Sequence, residues 1–291
     1  GVPGYPQQFD MLTLVVPHLA RCRRFHVLSD QGCPIEGMAE QIQNERAAIL
    51  QELTICPDSQ LTTPDFQRIE PVSQWTPSIL LSGAPSLTYL RLDCTSFEKF
   101  RPPLDHIVHL RLEKRQGPPS TYFTHHVYRH ILSLPNLETL SLFGQYFFLT
   151  GDVIWADVLP FEASHLRHFR CGNITARESR MEVEYFFNLV SAPNLETLTF
   201  HGPMAIDVEH VPLAEDYFYP KLESFSWVEC IIPPLAAADR VIRPLIRKIQ
   251  NITKLTLTGP EEAMPHGAFF GGAMVMIQEG KTVLPRLETL I

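Results

Sequence analysis

The sequence has little that marks catalytic chemistry. It contains no Gly-x-x-x-x-Gly-Lys-Ser/Thr loop, no Gly-x-Gly-x-x-Gly turn and no Gly-x-Ser-x-Gly elbow. The common backbone cradles for phosphate and the strained turn that presents a hydrolase serine are therefore missing. His-Glu-x-x-His is also missing, and with it the usual helix of a zinc protease. The six cysteines, Cys22, Cys33, Cys56, Cys94, Cys171 and Cys230, form no Cys-x-x-Cys pair and do not cluster at either end. That argues against a zinc ribbon and against the disulfide caps of extracellular repeat proteins, and it points to a reducing compartment, cytoplasmic or nuclear. No apolar run approaches the roughly 18–20 residues that span a bilayer. No signal-peptide pattern is present either, so no membrane partner is expected. A formal net charge of −8 argues against a general polyanion binder, and nucleic acid is not expected as a partner.

What the chain does have is hydrophobic pattern punctuated by proline. Of its 291 residues 45% are hydrophobic, and the 25 prolines fall among patterned segments, so they read as frequent chain reversals. Two stretches nearly coincide: Leu134-Pro135-Asn136-Leu137-Glu138-Thr139-Leu140 and Ala192-Pro193-Asn194-Leu195-Glu196-Thr197-Leu198. A third version runs from Leu284 to Leu290. Their common skeleton is apolar-x-x-apolar-x-apolar, usually with proline two residues before the first apolar position. Ten units fit it, starting at Cys22, Leu50, Leu87, Ile107, Leu137, Leu166, Leu195, Leu222, Ile252 and Leu287. Successive starts are 28, 37, 20, 30, 29, 29, 27, 30 and 35 residues apart, a mean of about 29.

A short strand whose alternate residues enter a core, repeated at that period, is the signature of a leucine-rich-repeat solenoid. The expected fold class is thus α/β: a horseshoe with a parallel concave β-sheet and helices on the convex side. A single domain spanning 1–291 is expected, and it reads as a fragment, since its last repeat is cut at Ile291. Parallel strands need crossovers, and apolar residues at helical spacing place helices over Glu184 to Val190, Tyr122 to Leu132 and Arg240 to Ile249. Gly37 to Ala48 and Gly267 to Ile277 are weaker helical segments, and Pro244 should kink or shorten the helix that contains it. A doubly wound α/β domain also alternates strand and helix, but it predicts unlike strands and a glycine-rich phosphate loop.

Few constellations offer a metal or a catalytic group. His126 and His130 stand four residues apart on a predicted helix beside His125, a spacing that could hold a metal. No carboxylate or cysteine falls in a suitable frame, so these read as surface or half-buried histidines, with no metal and no cofactor expected. Asp105-His106 and Glu261-Glu262 are isolated, and no enzyme is expected. The sequons at Asn173 and Asn251 read as chance matches.

The strand register instead picks out positions facing away from the core. Before the second apolar position they are Arg24, Glu52, Tyr89, His109, Thr139, His168, Thr197, Ser224 and Lys254. Between the second and third they are His26, Thr54, Arg91, Arg111, Ser141, Arg170, Thr199, Ser226 and Thr256. After the third come Leu28, Cys56, Asp93, Glu113, Phe143, Gly172, His201, Val228 and Thr258. Tyr89, Arg91, His109, Arg111, Phe143, His168 and Arg170 are the expected partner-binding residues. Two readings of the arginine column stay open. It is a polar surface neutralised by Asp93 and Glu113, or a basic stripe for a carboxylate-rich or phosphorylated segment.

The Ala-Pro-x-Leu and Leu-Pro-Asn-Leu-Glu-Thr-Leu units, Val16-Pro17-His18-Leu19-Ala20-Arg21-Cys22-Arg23-Arg24-Phe25 and Trp75-Thr76-Pro77 together resemble the repeat region of fungal F-box proteins. The resemblance covers nearly the whole chain, through generic motifs. It implies a substrate-recognition subunit of a Skp–cullin–F-box ubiquitin ligase, whose repeats hold a protein target on the concave face. No F-box lies within these residues, so the Skp-type adaptor and cullin would be reached only through one upstream of Gly1. The alternative is a repeat scaffold that binds one protein partner and has no ubiquitin-ligase role. An extracellular recognition receptor is a remoter third.

Overall fold

The computed structural model describes residues 13–29, 35–57, 74–93, 100–113, 124–143, 161–172, 186–187, 189–201, 219–229, 243, 245–259 and 265–291. The chain divides into two compact units, Gly1–Leu137 and Glu138–Ile291. Both are built from the same repeat.

In the N-terminal unit a 3₁₀ turn, Val16–Arg21, leads into four strands: β1 (Arg24–Ser29), β2 (Glu52–Pro57), β3 (Tyr89–Asp93) and β4 (His109–Glu113). They pair in chain order, all parallel, with Arg24 opposite Glu52, Glu52 opposite Tyr89 and Tyr89 opposite His109. The C-terminal unit stacks β5 (Thr139–Phe143), β7 (His168–Gly172), β9 (Thr197–His201), β10 (Ser224–Val228), β11 (Lys254–Leu257) and β12 (Thr289–Leu290) in the same manner. Parallel neighbours linked by returning crossovers make each unit a stretch of repeat solenoid. The order of strands and the expected register agree throughout, including the first two repeats.

The repeat is longer than its six-residue skeleton. In every one of the ten units the backbone N–H of the first apolar residue donates to the carbonyl three residues earlier, as in Leu50 to Ala47, Ile107 to Leu104, Leu195 to Ala192 and Leu222 to Tyr219. The residue that begins this turn is buried each time: Leu19, Ala47, Ala84, Leu104, Leu134, Ala163, Ala192, Tyr219, Ile249 and Leu284. The next two amides then share one carbonyl of the preceding repeat. Thr88 and Tyr89 donate to Gln51, Glu196 and Thr197 to Arg167, and Thr253 and Lys254 to Glu223. Side chains continue the ladder just before the first apolar position, where Asn136, Asn194 and Asn251 donate their amides to the carbonyls of Asp105, Ser164 and Pro220. Ser86 does the same to Ala48. These bonds satisfy turn carbonyls that the strand ladder cannot reach.

Two further strands lie outside the skeleton. β6 (Phe161–Glu162) and β8 (Val190–Ser191) pair in parallel, Phe161 opposite Val190, and form a second short ladder just ahead of the turns of the C-terminal unit. Among the described residues helices are few: α1 (Ile35–Ile42), α2 (His125–Leu132) and α3 (Pro265–Gln278). The segment expected over Gly37 to Ala48 ends at Ile42, because the amides of Leu80 and Leu81 take the carbonyls of Ile42 and Gln43 and stop the helix there. α2 starts at His125, since Thr124 is extended (ψ 163°); Tyr122 and Phe123 lie outside the described residues. Of the Glu184 to Val190 segment, residues 186, 187 and 189 are helical, while Val190 already belongs to β8. Residues 245–248 are helical; Pro244 lies outside the described residues. α3 is apolar on both stripes, burying Phe269, Ala273 and Met276 while Phe270, Met274 and Ile277 stay exposed.

Candidate functional site

The strand faces opposite the core carry the expected binding residues, in two separate groups. Tyr89, Arg91, His109 and Arg111 lie on β3 and β4 of the N-terminal unit, with Tyr89 opposite His109 and Arg91 opposite Arg111. Phe143, His168 and Arg170 lie on β5 and β7 of the C-terminal unit, where Ser141 is opposite Arg170 and Phe143 opposite Gly172.

In the first group two arginines in adjacent strands would repel each other. Glu113 resolves this. Its carboxylate accepts from the Arg91 guanidinium at 2.7 Å and also pairs with Arg111 two residues back on its own strand. Glu113 is only 8% exposed, so the bond to Arg91 is shielded from water. Burial pulls the Arg91 pKa down, but the hydrogen bond and charge of Glu113, helped by Cys56 and Tyr89, hold it above the ordinary arginine value. The cluster carries two cations and one anion. Nearer the N-terminus Arg24 pairs with Glu52 at 3.1 Å, and His26 approaches the same carboxylate at 3.6 Å. Asp93 is opposite Glu113 in register, but its side chain lies outside the described residues.

Some positions expected to face solvent are covered. Thr54, Ser141, Cys56 and Glu113 are all buried. Thr54 and Ser141 are short side chains beside long ones in the same row, Thr54 between His26 and Arg91 and Ser141 beside Arg170, while Glu113 is covered together with its partners Arg91 and Arg111. Cys171 fills a core position as expected, but Cys22 is half-exposed with its thiol donating to the His18 carbonyl at 3.3 Å.

The second group is built differently. Arg170 is exposed, and its guanidinium carbon lies 5.9 Å from the centre of the Phe143 ring, a cation–π contact. Among the described residues no carboxylate is within ion-pair distance of it. Gly172 lies between Phe143 and His201, and a Cβ there would stand 2.9 Å from the His201 Cβ and 3.4 Å from the Phe143 ring. Glycine therefore lets the neighbouring strand approach closely at His201. His168 sits beside the arginine row with Nδ1 2.9 Å from the Thr197 hydroxyl. Beyond it Arg167 forks onto Glu196 at 2.6 and 2.8 Å, and His201 approaches Glu229 at 3.7 Å.

The histidines of α2 stand apart from both groups. His125 and His126 rings are 3.7 Å apart between centres, and the His125 pKa is lowered by burial, then by His126 and Arg129. His126 and His130 line a groove of about 430 Å³ with Gln74, Trp75 and Val127. Among the described residues no group of three or more His, Cys, Asp or Glu could hold a metal. No helix among them is long and apolar enough to cross a membrane. Comparison with protein-family models, with curated proteins and with solved structures finds no match for this chain. The class defined by the fold is a parallel-strand repeat solenoid.

Proposed function

We propose that the chain is a non-catalytic protein-recognition module of leucine-rich-repeat type, which holds a protein target against the polar faces of its strands. The observation that carries this reading is alignment. Strand after strand, the positions opposite the core fall in register, so Ser141, Arg170, Thr199, Ser226 and Thr256 form one straight row. Neighbouring parallel strands lie about 4.8 Å apart, so such a row offers regularly spaced polar groups to an extended or helical partner segment. The resemblance of its Leu-Pro-Asn-Leu units to the repeat region of fungal F-box proteins supports a place in the cytoplasm or nucleus as the target-selecting part of a ubiquitin-ligase subunit.

Affinity capture of the tagged full-length protein tests both levels. Recovery of a Skp-type adaptor and a cullin along with a target supports the ligase role. Recovery of a target without them reduces the chain to a scaffold. Replacing Thr199 and Ser226 together with tyrosine should block the target while leaving the melting temperature within a few degrees. Unchanged capture by that variant would move the binding surface off the strands.

A further inference from the structure

The C-terminal unit shows more than a polar row. Arg170 is an exposed cation with no carboxylate at ion-pair distance among the described residues, in a chain of formal net charge −8. Its row neighbours Ser141 and Thr199 are short, so nothing in the row roofs it. The Phe143 ring supports one side of the guanidinium, its centre 5.9 Å from the guanidinium carbon. On the same strand His168 has committed only Nδ1 to Thr197. By contrast Arg91 and Arg111 already share Glu113.

We propose that the β5–β7–β9 face seats a single aspartate or glutamate side chain of an extended partner segment on Arg170, flanked by Phe143 and His168. This seat rests on the strand face being a recognition surface. An arginine fork held on an aromatic platform loses little freedom when it takes a carboxylate, and the planar pairing is bidentate. The charge count selects carboxylate over phosphate. A phosphoryl group brings about −1.5 to −2 charges and is typically met by several arginines. Here the row holds a single arginine, with Ser141 and Thr199 as its neighbours. One negative charge matches it. The hydroxyls of Thr197, Thr199, Ser224 and Ser226 on the following strands extend the seat for the neighbouring polar groups of the segment.

The test is a displayed random-peptide library selected on the folded full chain, followed by binding of the enriched peptide in three synthetic versions with Glu, Gln or phosphoserine at the enriched position. The expected result is enrichment of Asp or Glu at one position and about tenfold or greater weakening on Glu→Gln in the peptide. Arg170→Ala should give the same loss, with no further loss when the two changes are combined, and Arg170→Lys should restore part of the affinity. Arg129→Ala, which removes an exposed arginine of α2 away from the strand faces, should bind as the wild type does. Enriched peptides without an acidic position, tighter binding of the phosphoserine version, or an unchanged affinity for Arg170→Ala would each overturn the carboxylate seat while leaving protein recognition standing. If no peptide of any kind is enriched on a chain shown to be folded by circular dichroism, the recognition reading falls as well.

Discussion

The two units share one backbone repeat and fill it with different side chains. In the N-terminal unit the strand core is mostly aliphatic, with Leu53 and Ile55, Leu90 and Leu92, Leu110 and Leu112 beside Phe25 of β1. In the C-terminal unit the equivalent positions mix Leu140, Leu142, Cys171, Leu198, Leu255 and Leu257 with four aromatics, Phe169, Phe200, Phe225 and Trp227, joined by Phe186, Phe187 and Tyr219 from the segments before the strands. Phe169 stacks on Phe186 at 4.3 Å, nearly parallel, and Phe186 stacks on Tyr219 at 5.8 Å. The outer faces differ in the opposite sense. The N-terminal face closes its arginines with Glu52 and Glu113, whereas among the described residues no carboxylate closes Arg170 on the C-terminal face. The repeat thus separates two tasks. Inward positions set stability, with any apolar group that fills the volume, and outward positions are free to be neutralised or left available.

The largest effect should come from the aromatic core. Phe169→Ala removes the ring that packs on both Phe186 and Phe200, and should cost about 3–5 kcal/mol in urea denaturation. Leu110→Ala, its register equivalent in the N-terminal unit, should cost about 2–5 kcal/mol. Repeat stability is mostly local, so amide exchange should accelerate first in the unit that carries the substitution. Equal acceleration in both units would break the comparison.

Next in size is the carboxylate that closes the N-terminal face. Glu113→Ala leaves Arg91, 28% exposed, without its partner and should cost about 1.5–3 kcal/mol. Arg111, 41% exposed, contributes less to that loss because water screens it. On the other unit, Arg170→Ala should change stability by no more than about 0.5 kcal/mol. A Glu113→Ala cost as small as that of Arg170→Ala would mean the two faces are alike after all.

Much of this was legible in the sequence, because the signal repeats. The strands, their order and their register follow from ten copies of one apolar skeleton, and register fixes which side chains share a row. The buried position that opens each turn carries no such signal, since it accepts anything from Ala47 to Tyr219, its requirement being backbone closure rather than a side-chain type. The end of α1 is set by the amides of Leu80 and Leu81, remote in sequence, and no local propensity encodes that. At the candidate site, the sequence places Arg91, Arg111 and Arg170 in equivalent positions of their repeats and offers Asp93 and Glu113 as neutralisers of the column, without saying which arginine each would reach. Glu113 distinguishes them, by reaching diagonally to Arg91 as well as along its own strand. Gly172, an outward position of its repeat, gives the room for the close approach of His201 on the next strand.

A smaller effect separates the two units by pH. Tyr219 is buried, with its hydroxyl 3.3 Å from the carbonyls of Phe186 and Val190, and burial raises its pKa above the ordinary value of 10.0. Below pH 10 the group is neutral in folded and unfolded chains alike. Above it the unfolded chain releases a proton that the folded chain retains, so stability falls as pH rises toward the raised folded value. Tyr219→Phe should cost about 1–2 kcal/mol at neutral pH through the lost hydrogen bond. It should also flatten the alkaline loss of stability relative to wild type in melts taken at and above pH 10. An unchanged alkaline slope would show the hydroxyl to be titrating freely.

The smallest effect lies in the side-chain ladder common to both units. Asn194 donates to the Ser164 carbonyl at 2.6 Å and accepts from Lys221 at 2.7 Å, whereas Ser86 makes a single bond to Ala48 at 2.8 Å. Each side chain satisfies a turn carbonyl of the preceding repeat, so Asn194→Ala and Ser86→Ala should each cost about 0.5–1.5 kcal/mol, the asparagine nearer the upper end. Lys221 is exposed, and losing its contact adds little. The two sites share no partner and sit in different units, so the double variant should lose the sum of the single losses to within about 0.5 kcal/mol. Denaturation midpoints of the three variants measure this directly. A double variant markedly less stable than the sum would show that the repeats of one unit brace those of the other, and the units would then have to be treated as one cooperative body rather than compared as two.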